Sequence, residues 1–121
     1  IKLEGFKNKA EQYISKSDIF VLTSKFEGLP NVLIESQKYG VPIISSNCPT
    51  GPNEILLNGK LGELFPVGNY STLANKLSNF YKNKKILLRK SIDAKKYLGR
   101  FDSVKNSKKY YELIFKHYEE L

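Results

Sequence analysis

Apolar residues in the first half of the chain are grouped into short continuous runs that polar loops separate. β-branched and aromatic residues dominate these runs, as in Ile19-Phe20-Val21-Leu22. Runs of this length and composition are typical of strands buried on both faces of a sheet. They predict strands over residues 18–22, 41–46 and 62–66, and a shorter one over residues 1–5.

Helical signals lie between these predicted strands. The most distinct helix is expected to begin at Pro30, whose fixed φ suits a first turn, and to end at Gly40, which tolerates a left-handed cap. Shorter helices are expected over residues 9–15 and 52–57. Strands that alternate with helices predict a Rossmann-like α/β fold, in which crossover helices connect the strands of a parallel sheet.

The hydrophobic period changes after residue 68. Apolar side chains then recur at helical spacing, which predicts helices over residues 71–82, 84–98 and 103–121. A mostly apolar stripe runs along the last helix through Val104, Ser107, Tyr111, Ile114, Phe115, Tyr118 and Leu121. We therefore expect one domain over residues 1–121, with an α/β portion at 1–68 and a helical C-terminal portion at 69–121.

The charge of the 121-residue chain is distributed unevenly. Residues 1–59 carry six Lys and six acidic residues, whereas residues 60–121 carry fourteen Lys or Arg and six acidic residues. The second half therefore accounts for the whole net charge of +8. Such a surface attracts phosphates, nucleic acid or anionic lipid headgroups. Lysines that only solubilise long helices would give the same composition.

Several functional classes are disfavoured. Cys48 is the only cysteine, so the chain has no internal disulfide and no cysteine-based metal cluster to predict. No apolar run reaches the ~18 residues of a transmembrane helix, and no signal peptide is evident, so a cytoplasmic location is expected. The basic residues lie on predicted helices without a recognition motif, so nucleic acid is not expected as a partner. The chain begins without Met, as a piece of a longer protein would.

The segment from Ser24 to Glu35 carries the residue types that a phosphate-containing sugar ligand requires. It falls in a loop at the carboxyl end of a predicted strand, where parallel sheets bind ligands. Gly28 permits close approach to the backbone, and free N–H groups at the start of the next helix favour an anion. The carboxylates of Glu27 and Glu35 can accept hydrogen bonds from neighbouring hydroxyls. Glu27 would equally suit a helix-capping position, and Glu35 an ordinary solvated one.

The sequence of this segment resembles that of a known family. Phe-Glu-Gly-Leu-Pro-Asn-Val-Leu-Ile-Glu closely resembles the Glu-x7-Glu segment of family 4 retaining glycosyltransferases, with Glu27 and Glu35 as its two glutamates. Tyr-Gly-Val-Pro-Ile-Ile-Ser-Ser and Cys-Pro-Thr-Gly-Pro-Asn-Glu-Ile follow it, as in that family. The resemblance covers about residues 1–80. It implies the C-terminal, donor-binding domain of a GT-B-type glycosyltransferase, truncated at its N-terminus.

The resemblance also implies a role for each position of the motif. Glu27 would be the catalytic residue beside the donor sugar, and Glu35 would accept hydrogen bonds from the ribose hydroxyls. Gly5 and Phe6 would lie near the base. The main-chain N–H groups that would bind the sugar and phosphate are those of Gly28, Leu29, Asn31, Val32 and Leu33. Members of the family generally need no metal, so no cofactor is expected besides the UDP- or GDP-linked donor sugar.

The implied reaction is transfer of a sugar, with retention of configuration, from a nucleotide diphosphate sugar to a glycan or lipid-linked acceptor. The family completes its site with an upstream Arg and Lys and an N-terminal acceptor-binding domain, to which no residues here correspond. We therefore expect the chain alone to be inactive. The basic helices suggest peripheral contact with the anionic inner face of the membrane. A non-catalytic module that binds nucleotide sugars or polyanions, and a nucleotide-sugar epimerase domain, are the alternatives.

Overall fold

The computed structural model describes residues 1–119 and contains a parallel sheet of three strands. The strands are β1 (Phe20–Leu22), β2 (Ile43–Ser46) and β3 (Glu63–Phe65), and β2 lies in the centre. The register pairs Val21 with Ile44 and Ser45 with Leu64. This sheet confirms the parallel α/β fold class predicted from the sequence.

Six α-helices accompany the sheet in the described part of the chain. They are α1 (Glu11–Ile14), α2 (Asn31–Tyr39), α3 (Pro52–Ile55), α4 (Tyr70–Lys82), α5 (Lys85–Lys95) and α6 (Ser103–Glu119). A short 3-10 helix, Leu98–Phe101, precedes α6. Each α-helix corresponds to a helix predicted from the sequence, and most are shorter than predicted, whereas the 3-10 helix was not predicted. Within residues 1–119, every helix is too short or too polar to span a lipid bilayer.

The helix that follows the glycine-containing loop has well-defined ends. Pro30 has φ −71° and ψ 93°, so it occupies the cap position and the helix itself begins at Asn31, one residue later than expected. Gly40 adopts the left-handed conformation with φ 71°. The N–H of Val41 donates to the carbonyl of Ser36 at 2.9 Å, which is the long hydrogen bond of a Schellman cap. Both ends of α2 are therefore set by local sequence.

Two apolar clusters lie on opposite faces of the sheet, because neighbouring residues of β2 point in opposite directions. The first cluster consists of Leu33, Ile43, Ile55 and Leu56. The second cluster consists of Ile44, Phe65, Phe80 and Leu87. Burial of each such side chain contributes about 1.5–3 kcal/mol to stability. The first cluster fixes α2 and α3 against the sheet, and the second fixes α4 and α5.

A partly buried acidic residue connects the start of β3 to both α4 and α5. The Nζ of Lys76 lies 2.7 Å from the carboxylate of Glu63, and Lys90 Nζ forms a second ion pair with it. Lys90 also donates to the carbonyls of Gly59 at 2.9 Å and Gly62 at 3.2 Å. Burial raises the pKa of Glu63, but the hydrogen bonds from Lys76 and Lys90 outweigh burial and leave this pKa below its ordinary value.

The N-terminal segment differs from the sequence prediction. Residues 1–5 form no strand, and the side chains of Ile1 and Leu3 are exposed. Glu4 instead forms ion pairs with Lys2 at 2.6 Å and with Lys7 at 3.1 Å. The predicted strand is therefore wrong, because a strand requires a partner and the segment makes local contacts in its place.

Strand β1 is only half buried, whereas the sequence predicted a strand buried on both faces. Within the described residues β1 pairs with β2 alone, so it lies at an edge of the sheet.

The apolar residues of α6 are also more exposed than the predicted stripe implied. Tyr111 and Ile114 are 60% and 65% exposed, although the helix itself forms as predicted. Leu121, the last residue of that predicted stripe, lies outside the described residues.

Candidate functional site

Two loops meet at the carboxyl edge of the sheet. Loop A, residues 23–29, follows β1, and loop B, residues 47–51, follows β2. The Oγ of Ser46 donates to the carbonyl of Ser24 at 2.7 Å, and the Sγ of Cys48 donates to the same carbonyl at 3.3 Å. The buried end of β2 therefore holds the beginning of loop A in place.

Glu27 is a half-buried residue whose orientation is set by its neighbours. The Oγ of Ser24 donates a hydrogen bond of 2.6 Å to its Oε1. The Oγ1 of Thr50 donates to its main-chain carbonyl. One carboxylate oxygen receives no hydrogen bond within the described residues and can accept one from a ligand. Ser24 therefore orients the Glu27 side chain, and one carboxylate oxygen remains available to a ligand.

Free N–H groups are concentrated where loop A passes into α2. Within the described residues, no hydrogen-bond acceptor is found for the main-chain N–H groups of Gly28, Leu29, Asn31 and Val32. Pro30 has no N–H group. The positive end of the helix dipole adds to these donors, so the region suits an anion such as a phosphate. A Cβ placed on Gly28 would meet no atom within 4 Å, which leaves space for a ligand beside this peptide.

Leu33 differs from the other predicted donors. Its N–H already donates to the carbonyl of Pro30 at 2.9 Å, within the first turn of α2. Its side chain is fully buried in the cluster that fixes α2 against the sheet. A direct contribution of the Leu33 N–H to ligand binding would require that this group be shared between two acceptors. Its packing role follows directly from the structure.

Glu35 is the fifth residue of α2 and lies four residues after Asn31, so the two share a face of the helix. The buried residues of α2 are Leu33, Ser36 and Gln37, which lie on the opposite face. Glu35 has no ion pair or side-chain hydrogen bond within the described residues. Its carboxylate is therefore free to accept hydrogen bonds from hydroxyl groups.

Gly5 and Phe6 lie in the N-terminal segment. Gly5 has φ 64°, which a glycine adopts without strain, and the Phe6 side chain is 91% exposed. Within the described residues, no hydrogen bond or ion pair joins this segment to loop A or α2. The position of Gly5 and Phe6 beside a nucleotide base remains a prediction from sequence.

The residues that support loop A lie outside the motif between Ser24 and Glu35. Ser46 comes from the end of β2, and Cys48, Thr50 and Gly51 come from loop B, some twenty residues away from Glu27 in sequence. The sequence signals for loop B were its resemblance to the family and its place at the carboxyl end of a predicted strand, and neither signal specified these contacts. Within residues 1–119, no group of three or more His, Cys, Asp or Glu residues is placed to hold a metal ion.

The arrangement thus offers main-chain donors for an anion and carboxylates for hydroxyl groups. The chain matches the family model of the group 1 glycosyl transferases over residues 1–98, and it therefore belongs to that family. Its fold is of the α/β type, with a parallel sheet and accompanying helices. Its narrower assignment to family 4 remains a prediction.

Individual relatives agree with this family. The chain is 30% identical over 111 residues to the UDP-Gal:alpha-D-GlcNAc-diphosphoundecaprenol alpha-1,3-galactosyltransferase of Escherichia coli, covering 92% of this chain and 28% of that enzyme. It is 43% identical over 58 residues to the lipopolysaccharide 1,6-galactosyltransferase of Salmonella typhimurium, covering 48% of this chain and 16% of the enzyme. The chain thus spans less than a third of the length of either enzyme.

A solved structure shows the same fold. The Anabaena protein Alr3699/HepE, crystallised with UDP, superposes with a TM-score of 0.85 at 23% sequence identity. The match covers 95% of this chain and 32% of the Anabaena protein. The likeness shows that the three-stranded sheet and its helices have the same fold as the matching part of the Anabaena protein.

Proposed function

We propose that this chain is the donor-binding part of a retaining glycosyltransferase. The full protein would move a sugar from a nucleotide diphosphate sugar to a glycan or lipid-linked acceptor. The acceptor-binding part would come from another segment of that protein, and the chain alone would not transfer sugar. The observation that carries this proposal is the group of free N–H donors at the start of α2, beside the carboxylates of Glu27 and Glu35.

The free donors fit the diphosphate and the sugar hydroxyls of such a ligand. The N–H groups of Gly28 and Leu29 come from loop A, and those of Asn31 and Val32 come from the first turn of α2. Together they would supply several main-chain donors to one anion. The N-terminal end of α2 would add a favourable charge interaction of about 0.3–1 kcal/mol, or more where water is excluded.

The two glutamates would have different tasks. Glu27 is held by Ser24 at 2.6 Å and lies immediately before the proposed diphosphate donors, so it would face the donor sugar close to the reacting carbon. Glu35 lies one helical turn beyond Asn31 and would accept hydrogen bonds from the two ribose hydroxyls. The departing diphosphate would be stabilised by the main-chain donors, which is the electrostatic term that commonly dominates such catalysis.

We further propose UDP as the nucleotide of the donor. The Anabaena protein of similar fold was crystallised with UDP, and the Escherichia coli relative is named for a UDP-linked galactose donor. That relative also acts on a diphosphoundecaprenol-linked sugar, which supports a lipid-linked acceptor for the present protein.

The proposed donor site is tested by NMR titration of the 15N-labelled chain with UDP, GDP, CMP and inorganic pyrophosphate. Saturable shifts at the amides of Gly28, Leu29 and Asn31 with UDP, and weaker ones with the others, would support the proposal. Equal shifts with pyrophosphate and UDP would instead identify a polyanion-binding module. If UDP at millimolar concentration moves none of these amides, the donor-site assignment is wrong.

A second proposal concerns the basic helices. Eight exposed basic side chains after residue 80 form no ion pair within the described residues. They are Lys82, Lys85, Arg89, Lys95, Lys105, Lys108, Lys109 and Lys116. We propose that they place the protein at the anionic inner face of the membrane, where lipid-linked acceptors lie, with about 1 kcal/mol from each residue near the surface.

Sedimentation with vesicles tests this second proposal. Binding to vesicles that contain phosphatidylserine or phosphatidylglycerol, lost in high salt and absent from phosphatidylcholine vesicles, is the expected result. Replacing Lys105, Lys108 and Lys109 by Gln should weaken this binding, whereas replacing the ion-paired Lys2 and Lys7 by Gln should not. Equal binding to neutral and anionic vesicles would contradict the proposal.

A further inference from the structure

Loop B makes two contacts with consecutive peptide groups of loop A. The Oγ1 of Thr50 donates a hydrogen bond to the carbonyl oxygen of Glu27. The next carbonyl, that of Gly28, points at Gly51. A Cβ added to Gly51 would lie 2.3 Å from the Gly28 oxygen but 3.3 Å from the Gly28 carbonyl carbon. Because the oxygen lies closer to this position than the carbon by most of the ~1.23 Å length of a C=O bond, the carbonyl points toward loop B.

The direction of these two carbonyls determines the direction of two N–H groups. In a trans peptide the C=O and N–H bonds point to opposite sides, and the described residues contain no cis peptide. The Glu27 carbonyl faces loop B, so the N–H of Gly28 faces away from it. The Gly28 carbonyl also faces loop B, so the N–H of Leu29 faces away as well. Two successive N–H groups therefore point to the same side, as in anion-binding nests of the backbone.

Gly51 is required for this arrangement in two respects. Its φ of 90° is one that other residues rarely adopt. Its missing Cβ would also lie 2.5 Å from the Cδ of Pro30, so loops A and B could not approach as closely with any other residue. Gly51 is itself fixed, because the N–H of Ile55 donates to its carbonyl at 2.9 Å as α3 begins.

We infer that Thr50 and Gly51 are positioning residues of the donor site, which aim the N–H groups of Gly28 and Leu29 at the diphosphate sugar. Neither residue needs to contact the ligand. The expected effect on ligand binding rests on the proposed donor-binding function. The contacts of Thr50 and Gly51 with loop A, in contrast, are present in the unliganded chain. Thr50 acts by hydrogen bonding and Gly51 by permitting close approach.

Three variants of the chain test the inference: Thr50→Val, which removes the hydroxyl at nearly constant shape, Thr50→Ser, which retains it, and Gly51→Ala. Without ligand, Thr50→Val should shift the amide signals of Gly28 and Leu29 and speed their hydrogen exchange. The amide of Ile44, in the centre of the sheet, should remain unchanged and report that the fold is intact. Thr50→Ser should restore the original signals, and Gly51→Ala should shift them further than Thr50→Val.

With ligand, Thr50→Val should weaken UDP binding about threefold to tenfold, the loss expected for one positioning hydrogen bond. Thr50→Ser should bind UDP like the original chain. The inference is overturned if Thr50→Val leaves the Gly28 and Leu29 amides unmoved, or if Val and Ser at position 50 weaken binding equally. A different outcome is that both amides respond to Thr50→Val but UDP binds neither the original chain nor any variant. In that case the positioning contact stands and the proposed function fails.

Discussion

The guanidinium of Arg100 donates a hydrogen bond of 3.0 Å to the carbonyl oxygen of Ile55, the last residue of α3. A second bond of 3.2 Å runs to the carbonyl of Glu54. The amide of Gln37, on α2, donates to the same Ile55 carbonyl at 3.3 Å. The final carbonyls of a helix receive no hydrogen bond from within the helix, so the side chains of Arg100 and Gln37 donate hydrogen bonds to the C-terminal end of α3. Because Gly51 of loop B is the cap residue that precedes α3, Arg100 also supports the loop that borders the candidate site.

Replacement of Arg100 should therefore destabilise the chain. Arg100→Ala removes two hydrogen bonds to helix-end carbonyls and should lower the free energy of unfolding by about 1–3 kcal/mol. Arg100→Lys should recover part of the loss, because an ammonium cannot reach both carbonyls as a guanidinium does. Urea denaturation followed by circular dichroism measures these changes. Arg89→Ala, at an exposed position, is the control and should change stability by less than about 0.5 kcal/mol. Equal losses for Ala at both positions would contradict the helix-end role.

The ion pairs of Glu63 predict a dependence of stability on pH. Its folded-state pKa lies below the ordinary value of 4.5, so the ionised form stabilises the folded chain above that value. The contribution is lost as the pH falls through the folded pKa. Glu63→Gln should lower the free energy of unfolding by about 1–2 kcal/mol at neutral pH, since the pair is partly exposed.

The stability difference between the original chain and Glu63→Gln should shrink as the pH falls below 4.5 and through the lower folded-state pKa of Glu63, because the carboxyl is then protonated in both states. Urea denaturation at several pH values measures it. Glu112→Gln, on the exposed helix α6, provides the control and should show little difference at any pH. A difference that stays constant from neutral to acidic pH would show that the charge of Glu63 is not what stabilises the chain.

Much of the fold follows from local sequence signals. The helix α2 runs from just after Pro30 to just before Gly40, because each of these residues determines its own backbone conformation. The central strand β2 is fully buried, as its apolar run predicts. The N-terminal segment shows the limit of such signals. Residues 1–5 have the composition of a strand, but strand formation depends on a partner strand that is distant in sequence.

The residues of the candidate site also differ in how far they could be predicted from sequence. Gly28 and Glu35 could be selected from sequence because one short motif contains both, and their roles at the site remain predictions. The contacts of Ser46 and Thr50 with loop A were not found, since they join residues more than twenty positions apart. In the sequence, a loop hydroxyl that contacts only solvent looks the same as one that donates a hydrogen bond to a distant carbonyl. Only the packing of the two loops supplies that information.

The hydrogen bond between Ser24 and Glu27 predicts a selective effect on the sugar. Ser24→Ala frees the Glu27 carboxylate, so it should weaken binding of UDP-glucose or UDP-galactose by about twofold to tenfold. Binding of UDP itself should change less, because UDP has no sugar for Glu27 to contact. Isothermal titration calorimetry compares the ligands, and Ser78→Ala on the exposed side of α4 is the control. Equal weakening of UDP and UDP-sugars would place Glu27 away from the donor sugar.

The position of Glu35 predicts a thermodynamic coupling with the ribose. Glu35→Gln should weaken UDP binding about tenfold or more, because hydrogen bonds to a charged group are stronger than neutral ones. Removing both ribose hydroxyls, with 2′,3′-dideoxy-UDP as ligand, should weaken binding to the original chain by a similar factor. The two changes delete the same contact, so together they should cost little more than either alone. Calorimetry on the four combinations measures the coupling, with Glu112→Gln as a remote control. Independent, additive losses would mean that Glu35 does not contact the ribose, and the donor would then have to lie differently on α2.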